Sequence, residues 1–283
     1  MDWREKVVVV TGASSGIGRV TARAFARRGS RVVAVARREE LLAGLIDECR
    51  ESSPLSCYLA GDLGLRVFAE HAIDETVRRH GRIDVLVNNA AITKHKQIYH
   101  VSADEVARVM EVNFLSCAWT TLAALPYMLK QGGGNVVNVS SFASRVVPPR
   151  ESVYAASKAA MNAFTEGLWN DLAGSKVFAS LVIPGAIDTE IWAKSDEPMA
   201  YRGSKLPPEL VADAIFEAIE RRRTEVQVPK HRIDLWLARW LRFAAPSLLR
   251  MGMRRMDPVP PDVIERARNR ASRGKRLGDL SEG

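Results

Sequence analysis

The stretch KVVVVT at residues 6–11, running directly into TGASSGIG at 11–18, constrains the fold of this 283-residue chain more than any other feature. An apolar, β-branched run without polar alternation is a strand buried on both faces, as in a parallel sheet covered by helices on either side. The glycines that follow require a tight turn, and the pattern then becomes helical to about Arg28. The same alternation repeats along the chain. RVVAVA (31–36) precedes a charged helical stretch to about Glu51, and CYLAGD (57–62) precedes a helix over 65–80. IDVLVNN (83–89) leads into a long helix from about Ser102 to Lys130, and GNVVNVSS (134–141) into another over 150–174. KVFASLVIP (176–184), a helix over 208–223 and EVQVP (225–229) close the series. Seven strands and six intervening helices predict an α/β fold, a doubly wound seven-stranded parallel sheet with right-handed crossovers and helices on both faces. The connection 189–207 lies just past a strand's C-terminal end, where such folds hold ligands.

Charge divides the chain in two. From Arg221 onward there are 16 Lys+Arg and 7 Asp+Glu, a net of +9, whereas the 220 residues before carry 25 and 26, a net of −1. The basicity therefore belongs to the tail and needs its own explanation. Cys49, Cys57 and Cys117 have neither metal-site spacing nor an even count, which predicts a reducing, cytoplasmic setting, no disulfide scaffold and no metal centre. The N-terminus MDWREKVVVVTGA lacks the long apolar core and cleavage site of a signal peptide. No run is expected to reach the roughly 18 uncharged apolar residues of a membrane span.

The chemistry begins at the glycine-rich turn. Gly12, Gly16 and Gly18 allow a tight turn, close backbone approach to a pyrophosphate and close helix–strand packing. Ser14, Ser15 and Ile17 lie in the same turn, and the helix N-terminus behind it offers N–H groups and a favourable dipole to phosphate. VYAASKAA (153–160) places Tyr154 one helical turn before Lys158. By itself that is an alanine-rich helix with a tyrosine and a lysine on one face.

In order along the chain stand TGASSGIG, NNA at 88–90, Asn113, Ser141, Tyr154-x-x-x-Lys158 and PGAIDT at 184–189. This set resembles the short-chain dehydrogenase/reductase family over about residues 5–229, including the 13-residue separation of Ser141 and Tyr154. The resemblance implies a Rossmann-like nucleotide-binding catalytic domain, here 1–229; the remainder, 230–283, has no place in the minimal family fold and reads as a basic, amphipathic helical C-terminal extension. It implies Asn113, Ser141, Tyr154 and Lys158 as catalytic residues, with Asn113 anchoring a water between Lys158 and solvent. It further implies that Lys158 holds the nicotinamide ribose. Asp62 and Leu63 match adenine-contacting positions, Asn89 and Ala90 flank the cofactor, and Pro184, Gly185, Ile187 and Thr189 match the segment along the nicotinamide. The family is usually dimeric or tetrameric through its two long helices, which predicts a homo-oligomer. NNAA departs from the family's N-N-A-G, so Ala91 has to take ordinary backbone angles where glycine is usual.

A free phenol, with a pKa near about 10, is a poor proton shuttle at neutrality. A lysine ammonium one turn away is expected to lower it, while Ser141 orients the reacting oxygen. Ser140 competes for that role, and the spacing favours Ser141. The second strand ends VAVARR, with Arg37 where NAD-preferring members carry an acid and Arg38 beside it. Guanidinium suits a 2′-phosphate, and two arginines opening a helix otherwise oppose its dipole. The expected cofactor is NADP(H) rather than NAD(H).

Phe142, Val146, Val147 and Pro148, with Trp192 and Met199 in the 189–207 segment, suggest an apolar substrate pocket, or equally a lid packed on its own domain. The expectation is an oxidoreductase acting on an apolar or lipid-like carbonyl/alcohol pair. The alternative is a non-catalytic NADP(H)-binding sensor or scaffold. In the tail, Ile233, Trp236, Leu237, Trp240 and Leu241 form one apolar helical face within 231–256. That helix has three open placements: on a membrane surface, over the cleft, or against a subunit. Residues 264–283 read as a solvated or disordered end, and no nucleic-acid-reading motif is present.

Overall fold

The computed structural model describes residues 2–194, 203–230, 233–256 and 264–265. Met199, the tail beyond 265 and part of the 189–207 segment lie outside the described residues. The strands are β1 Val7–Thr11, β2 Arg31–Ala36, β3 Cys57–Ala60, β4 Val85–Asn88, β5 Gly134–Val139, β6 Val177–Pro184 and β7 Glu225–Val228. They form one sheet in the order β3-β2-β1-β4-β5-β6-β7, parallel throughout. The chain builds outward from β1 to β3, then returns to place β4 on the other side of β1. That reversal leaves a crevice at the C-terminal ends of the central strands.

The helices are α1 Gly16–Ala26, α2 Glu39–Arg50, α3 Arg66–His80, α4 Ala103–Met110, α5 Ser116–Lys130, α6 Ser152–Asp171, α7 Glu209–Glu220, α8 Ile233–Ala244 and α9 Pro246–Met256. Side chains alternate across β1, so Val8 and Val10 pack under α1, α2 and α7, while Val9 packs under α3 and α5. Every residue of β1 is buried, as its unbroken β-branched run requires. At the foot of the first layer Trp3, Phe25 and Phe216 form an aromatic cluster, with centroids 5.1, 5.2 and 4.4 Å apart. Trp3 also donates to Glu220 at 2.8 Å, tying the N-terminus to the end of α7.

On the opposite layer the sheet carries polar side chains, and they are satisfied among themselves. Asn88 donates to Asn138 at 2.9 Å and to Thr121 at 3.0 Å, Thr120 donates to Asn88 at 2.8 Å, and Asn138 donates to Thr165 at 2.8 Å. This network joins β4, β5, α5 and α6 through bonds that would be costly to leave half-made.

Two expectations need correction. The helix over 102–130 is opened by a π turn at Glu111–Leu115, which contains Asn113. Its amide leaves the helix surface to bond a separate loop, and one extra residue in the turn re-aims it. The same segment, Ala103–Lys130, is also long and apolar enough for a membrane span by length and composition. Half of its apolar window is buried, as expected of a helix packed on the sheet and α3.

Candidate active site

The crevice holds a cavity of about 750 Å³. Its floor is the turn after β1, where Gly12 has φ +66° and a Cβ would stand 2.7 Å from Ala90 Cα. At Gly16 a Cβ would stand 2.9 Å from the Thr189 methyl. Ser14, Ser15 and Ile17 complete the floor. Gly18 does not line the cavity; it lies beneath, where a Cβ would meet the Gly12 carbonyl oxygen at 2.3 Å. Thr11 locks the ends of β1 and β4 together, donating to Val87 and accepting from the amides of Asn89 and Ala90 at 2.9 and 3.1 Å. The turn is therefore a rigid cradle in front of the α1 N-terminus, which has no acidic residue in its first turn.

Around that floor the cavity collects most of the residues singled out from sequence: Arg37 and Arg38 after β2, Asp62 and Leu63 after β3, Asn89 and Ala90 after β4. Pro184, Gly185, Ile187 and Thr189 close it beyond β6. Ala91 fits with ordinary backbone angles: among the described non-glycine residues, positive φ is confined to Glu5, Arg150 and Arg222. The two arginines differ in how they are held. Arg37 is exposed at the rim, whereas Arg38 bonds Ser14 at 3.1 Å and Ser15 at 2.6 Å and pairs with Glu190 at 2.8 Å. Asp62 loses some solvation, but Arg108 at 2.5 Å and the Gly64 amide at 2.9 Å hold its carboxyl below the usual carboxylate range.

At the other end stand Ser141, Tyr154 and Lys158. Ser141 follows β5, accepts from the Ala143 amide at 3.2 Å and hydrogen-bonds the Tyr154 phenol. Ser140 is turned away, donating to Asn162 at 2.5 Å in the interior. The structure thus places Ser141, not Ser140, against the tyrosine. Lys158 is 1% exposed and donates to the Val139 carbonyl at 2.8 Å. Asn113 accepts from the Ile92 amide at 2.8 Å and donates to the Ile92 carbonyl and the Ser157 hydroxyl, both at 3.0 Å. Since Ser157 caps back onto the Tyr154 carbonyl at 2.7 Å, Asn113 fixes both α6 and the loop after β4.

The charge states depart from expectation. Burial pushes the Tyr154 phenol up to about 12; the Ser141 bond opposes this and the Glu151 carboxylate adds to it. Burial pushes the Lys158 ammonium down to about 8. The one-turn spacing to Lys158 predicts a lowered phenol; burial raises it instead.

The substrate end is also corrected. Phe142, Pro148 and Trp192 line the cavity, but Val147 does not: it is 47% exposed on the outer surface. Val146 is buried away from the cavity as well. In their place the sequence reading missed His95 and Glu151, which line the cavity with Nδ1 3.7 Å from Oε1. No periodicity or motif marks His95; it reaches the site because the loop after β4 bonds Arg150 through Lys96 at 3.0 Å. The pocket is therefore apolar with an acidic and an imidazole group at its wall. Among the described residues no His/Cys/Asp/Glu group has a metal-binding arrangement.

Comparisons with known proteins agree with this geometry. Residues 6–200 match the profile of the family described as short chain dehydrogenase. An uncharacterized oxidoreductase of Bacillus subtilis is 33% identical, with 80% of this chain and 65% of its own length aligned. A dehydrogenase/reductase SDR family protein 7-like of Drosophila melanogaster is 31% identical over 86% of this chain and 78% of its own length. An 11-beta-hydroxysteroid dehydrogenase-like 4A protein of Arabidopsis thaliana is 40% identical over 65% of this chain and 61% of its own. The chain thus spans less than two thirds of the Bacillus and Arabidopsis relatives. Among solved structures, a short chain dehydrogenase/reductase from Burkholderia phymatum in complex with NAD aligns with TM-score 0.79 at 28% identity, covering 92% of this chain and 99% of that one. A short-chain dehydrogenase from Sphingobium yanoikuyae in complex with NADPH aligns with TM-score 0.74 at 28% identity, covering 90% and 97%.

Proposed function

The chain belongs to the short-chain dehydrogenase/reductase family, and from that premise we propose that it is an oxidoreductase using NADP(H) on a carbonyl/alcohol pair of apolar, lipid-like character. The observation that carries the reading is the meeting of Ser141, Tyr154 and Lys158 at the end of the same cavity whose other end holds Arg38. A binding module needs no phenol–hydroxyl pair at that place.

The residues present suit a dinucleotide. The Gly12–Gly16 cradle leaves no room for a Cβ, and the α1 N-terminus faces the cavity without a competing acid. Ser14, Ser15 and Gly16 would hold the pyrophosphate, Asp62 and Leu63 the adenine side, and Arg38 with Arg37 a 2′-phosphate. Asn89, Ala90, Pro184, Gly185, Ile187 and Thr189 would flank the nicotinamide, and Lys158 its ribose. When bound, the cofactor supplies or accepts the hydride at the substrate carbon.

The chain's own part is proton placement. A phenol held up to about 12 keeps its proton at neutrality, so Tyr154 is a donor to the carbonyl oxygen in reduction. Ser141 orients that oxygen and shares the developing charge. Lys158, one turn below, stabilises the phenolate as it forms, and Asn113 is a positioning residue that holds the loop and α6 in register. In oxidation the proton runs the other way. Apolar Phe142, Pro148 and Trp192 support a hydrophobic substrate body, and a steroid-dehydrogenase-like relative supports the same class. NADPH oxidation with ketones and aldehydes of increasing apolar size tests the reading. Activity that rises with size and vanishes in Tyr154→Phe is expected; turnover preserved in that variant overturns it.

A further inference from the structure

We propose that α8 and α9 form a docking surface for an anionic lipid bilayer, independent of the reaction the domain carries out. Three observations carry it. First, five large apolar side chains among the described residues of these helices face solvent. On α8 Trp240 is 52% and Phe243 78% exposed, with Leu237 also exposed; Leu248 and Met251 are exposed on α9. An apolar face at the water boundary is unstable unless something covers it.

Second, α8 is held so that this face points outward. Arg242 donates to the Ser144 carbonyl at 3.4 Å and to the Arg145 carbonyl, which fixes the helix on the loop that follows Ser141. At 3.6 residues per turn Arg242 lies about 200° round the helix from Trp240. Leu237 and Phe243 lie about 60° to either side of Trp240. Arg242 thus lies across the helix from Trp240 and Leu237, and about 100° from Phe243, whose ring its guanidinium approaches at 5.9 Å. Neither closure of the cleft by Trp240 nor burial of Phe243 in this domain fits that arrangement.

Third, the charge selects the occupant. Between Ile233 and Met256 there are five arginines and one aspartate, within the tail whose net charge is +9. The 220 residues before Arg221 are close to neutral, so the described helices that expose the aromatics, with five arginines against one aspartate, carry a local excess of positive charge. Aromatic and aliphatic side chains flanked by arginine are the composition of a helix lying in the plane of a membrane interface. The tryptophan ring suits the headgroup level, and the arginines suit anionic headgroups. An acidic protein would match the charge, but it would not call for three exposed apolar side chains over about a 120° arc of one helix face. Docking in this orientation holds the loop after Ser141, and with it the substrate end of the cavity, next to the bilayer.

The test is flotation of the full-length protein with vesicles of phosphatidylcholine alone, or with about 30% phosphatidylserine. Binding to the anionic vesicles at least about tenfold above the neutral ones is expected, reduced when salt is raised from about 0.15 to about 0.5 M. Trp240→Ser with Phe243→Ser abolishes it, and Arg250→Glu with Arg255→Glu weakens it. Unchanged melting temperature of both variants shows that they fold. Equal binding to both vesicles, or binding unaffected by the aromatic pair, overturns the proposal. Sedimentation velocity separates the other occupant: if the aromatic pair converts a larger assembly to monomer while the wild type ignores vesicles, the face belongs to a second copy and the proposal falls.

Discussion

Arg38 and Glu190 meet at 2.8 Å across the mouth of the cavity, joining the end of β2 to the segment beyond β6, 152 residues later. The same guanidinium rests on Ser14 and Ser15, so one side chain joins both walls of the cavity mouth. On the proposed use of NADP(H), a 2′-phosphate would compete with the Glu190 carboxylate for it.

Cofactor discrimination follows from that competition. Arg38→Ala should weaken NADPH binding by about tenfold to a hundredfold, the worth of charge-assisted hydrogen bonds, and leave NADH almost unchanged. Glu190→Gln should tighten NADPH by no more than about fivefold, because the pair is half exposed. Arg37→Ala should have the smaller effect of the two arginines. Fluorescence titration of each variant with both nucleotides checks this; equal losses for NADH would remove Arg38 from 2′-phosphate recognition.

The acid–base pair predicts a separable loss. Tyr154→Phe should abolish turnover while NADPH still binds, and Ser141→Ala should lower kcat by about 10²–10³, the range for removing one oxyanion donor. Ser140→Ala should leave kcat nearly intact, since its hydroxyl faces Asn162 in the interior. Steady-state kinetics on the three variants with one substrate decides whether the serine assignment holds.

Glu151 tunes the phenol. Its carboxylate adds to the burial that pushes Tyr154 up to about 12. Glu151→Gln removes a negative charge that disfavours phenolate, so the Tyr154 titration should move to lower pH. Difference absorbance of tyrosinate, with Tyr154→Phe as background, reads the shift. A titration that stays in place would mean that burial alone sets it.

Lys158 links stability to pH. Its folded value of about 8 lies below the free lysine value of 10.5. Between the two, the unfolded chain holds a proton that the folded chain has lost, so stability rises with pH across that window. The gain is complete above it and lost as pH falls through about 8. The urea midpoint of the wild type minus that of Lys158→Met should climb over this window; a flat difference would mean the ammonium is not desolvated.

The Trp3–Phe25–Phe216 cluster carries a stability prediction away from the site. Phe25 is fully buried between the other two rings, so Phe25→Ala should cost about 3–5 kcal/mol in chemical denaturation. A loss below about 1 kcal/mol would show that the cluster collapses without a cavity.

Local patterns along the chain were sufficient for the strand–helix alternation and the glycine turn, whereas Asn113, Ser141, Tyr154 and Lys158 were legible only as an ordered set that resembles a family. The first two depend on residues a few positions apart: a run of valines and a turn rich in glycine. What only the tertiary structure decided depends on segments that meet from far apart. Ser141 and not Ser140 faces the tyrosine because β5 ends with one side chain toward the crevice and its neighbour toward Asn162. Asn113 needs a π turn because its partner, Ile92, sits 21 residues away in another loop. Arg38 rather than Arg37 is anchored because Ser14, Ser15 and Glu190 converge on it. His95 and Glu151 enter the pocket, and Val147 leaves it, through loop paths that carry no periodic signal. The Tyr154 phenol rises instead of falling because burial, a property of the folded surroundings, sets its direction, where the spacing to Lys158 alone predicts the opposite.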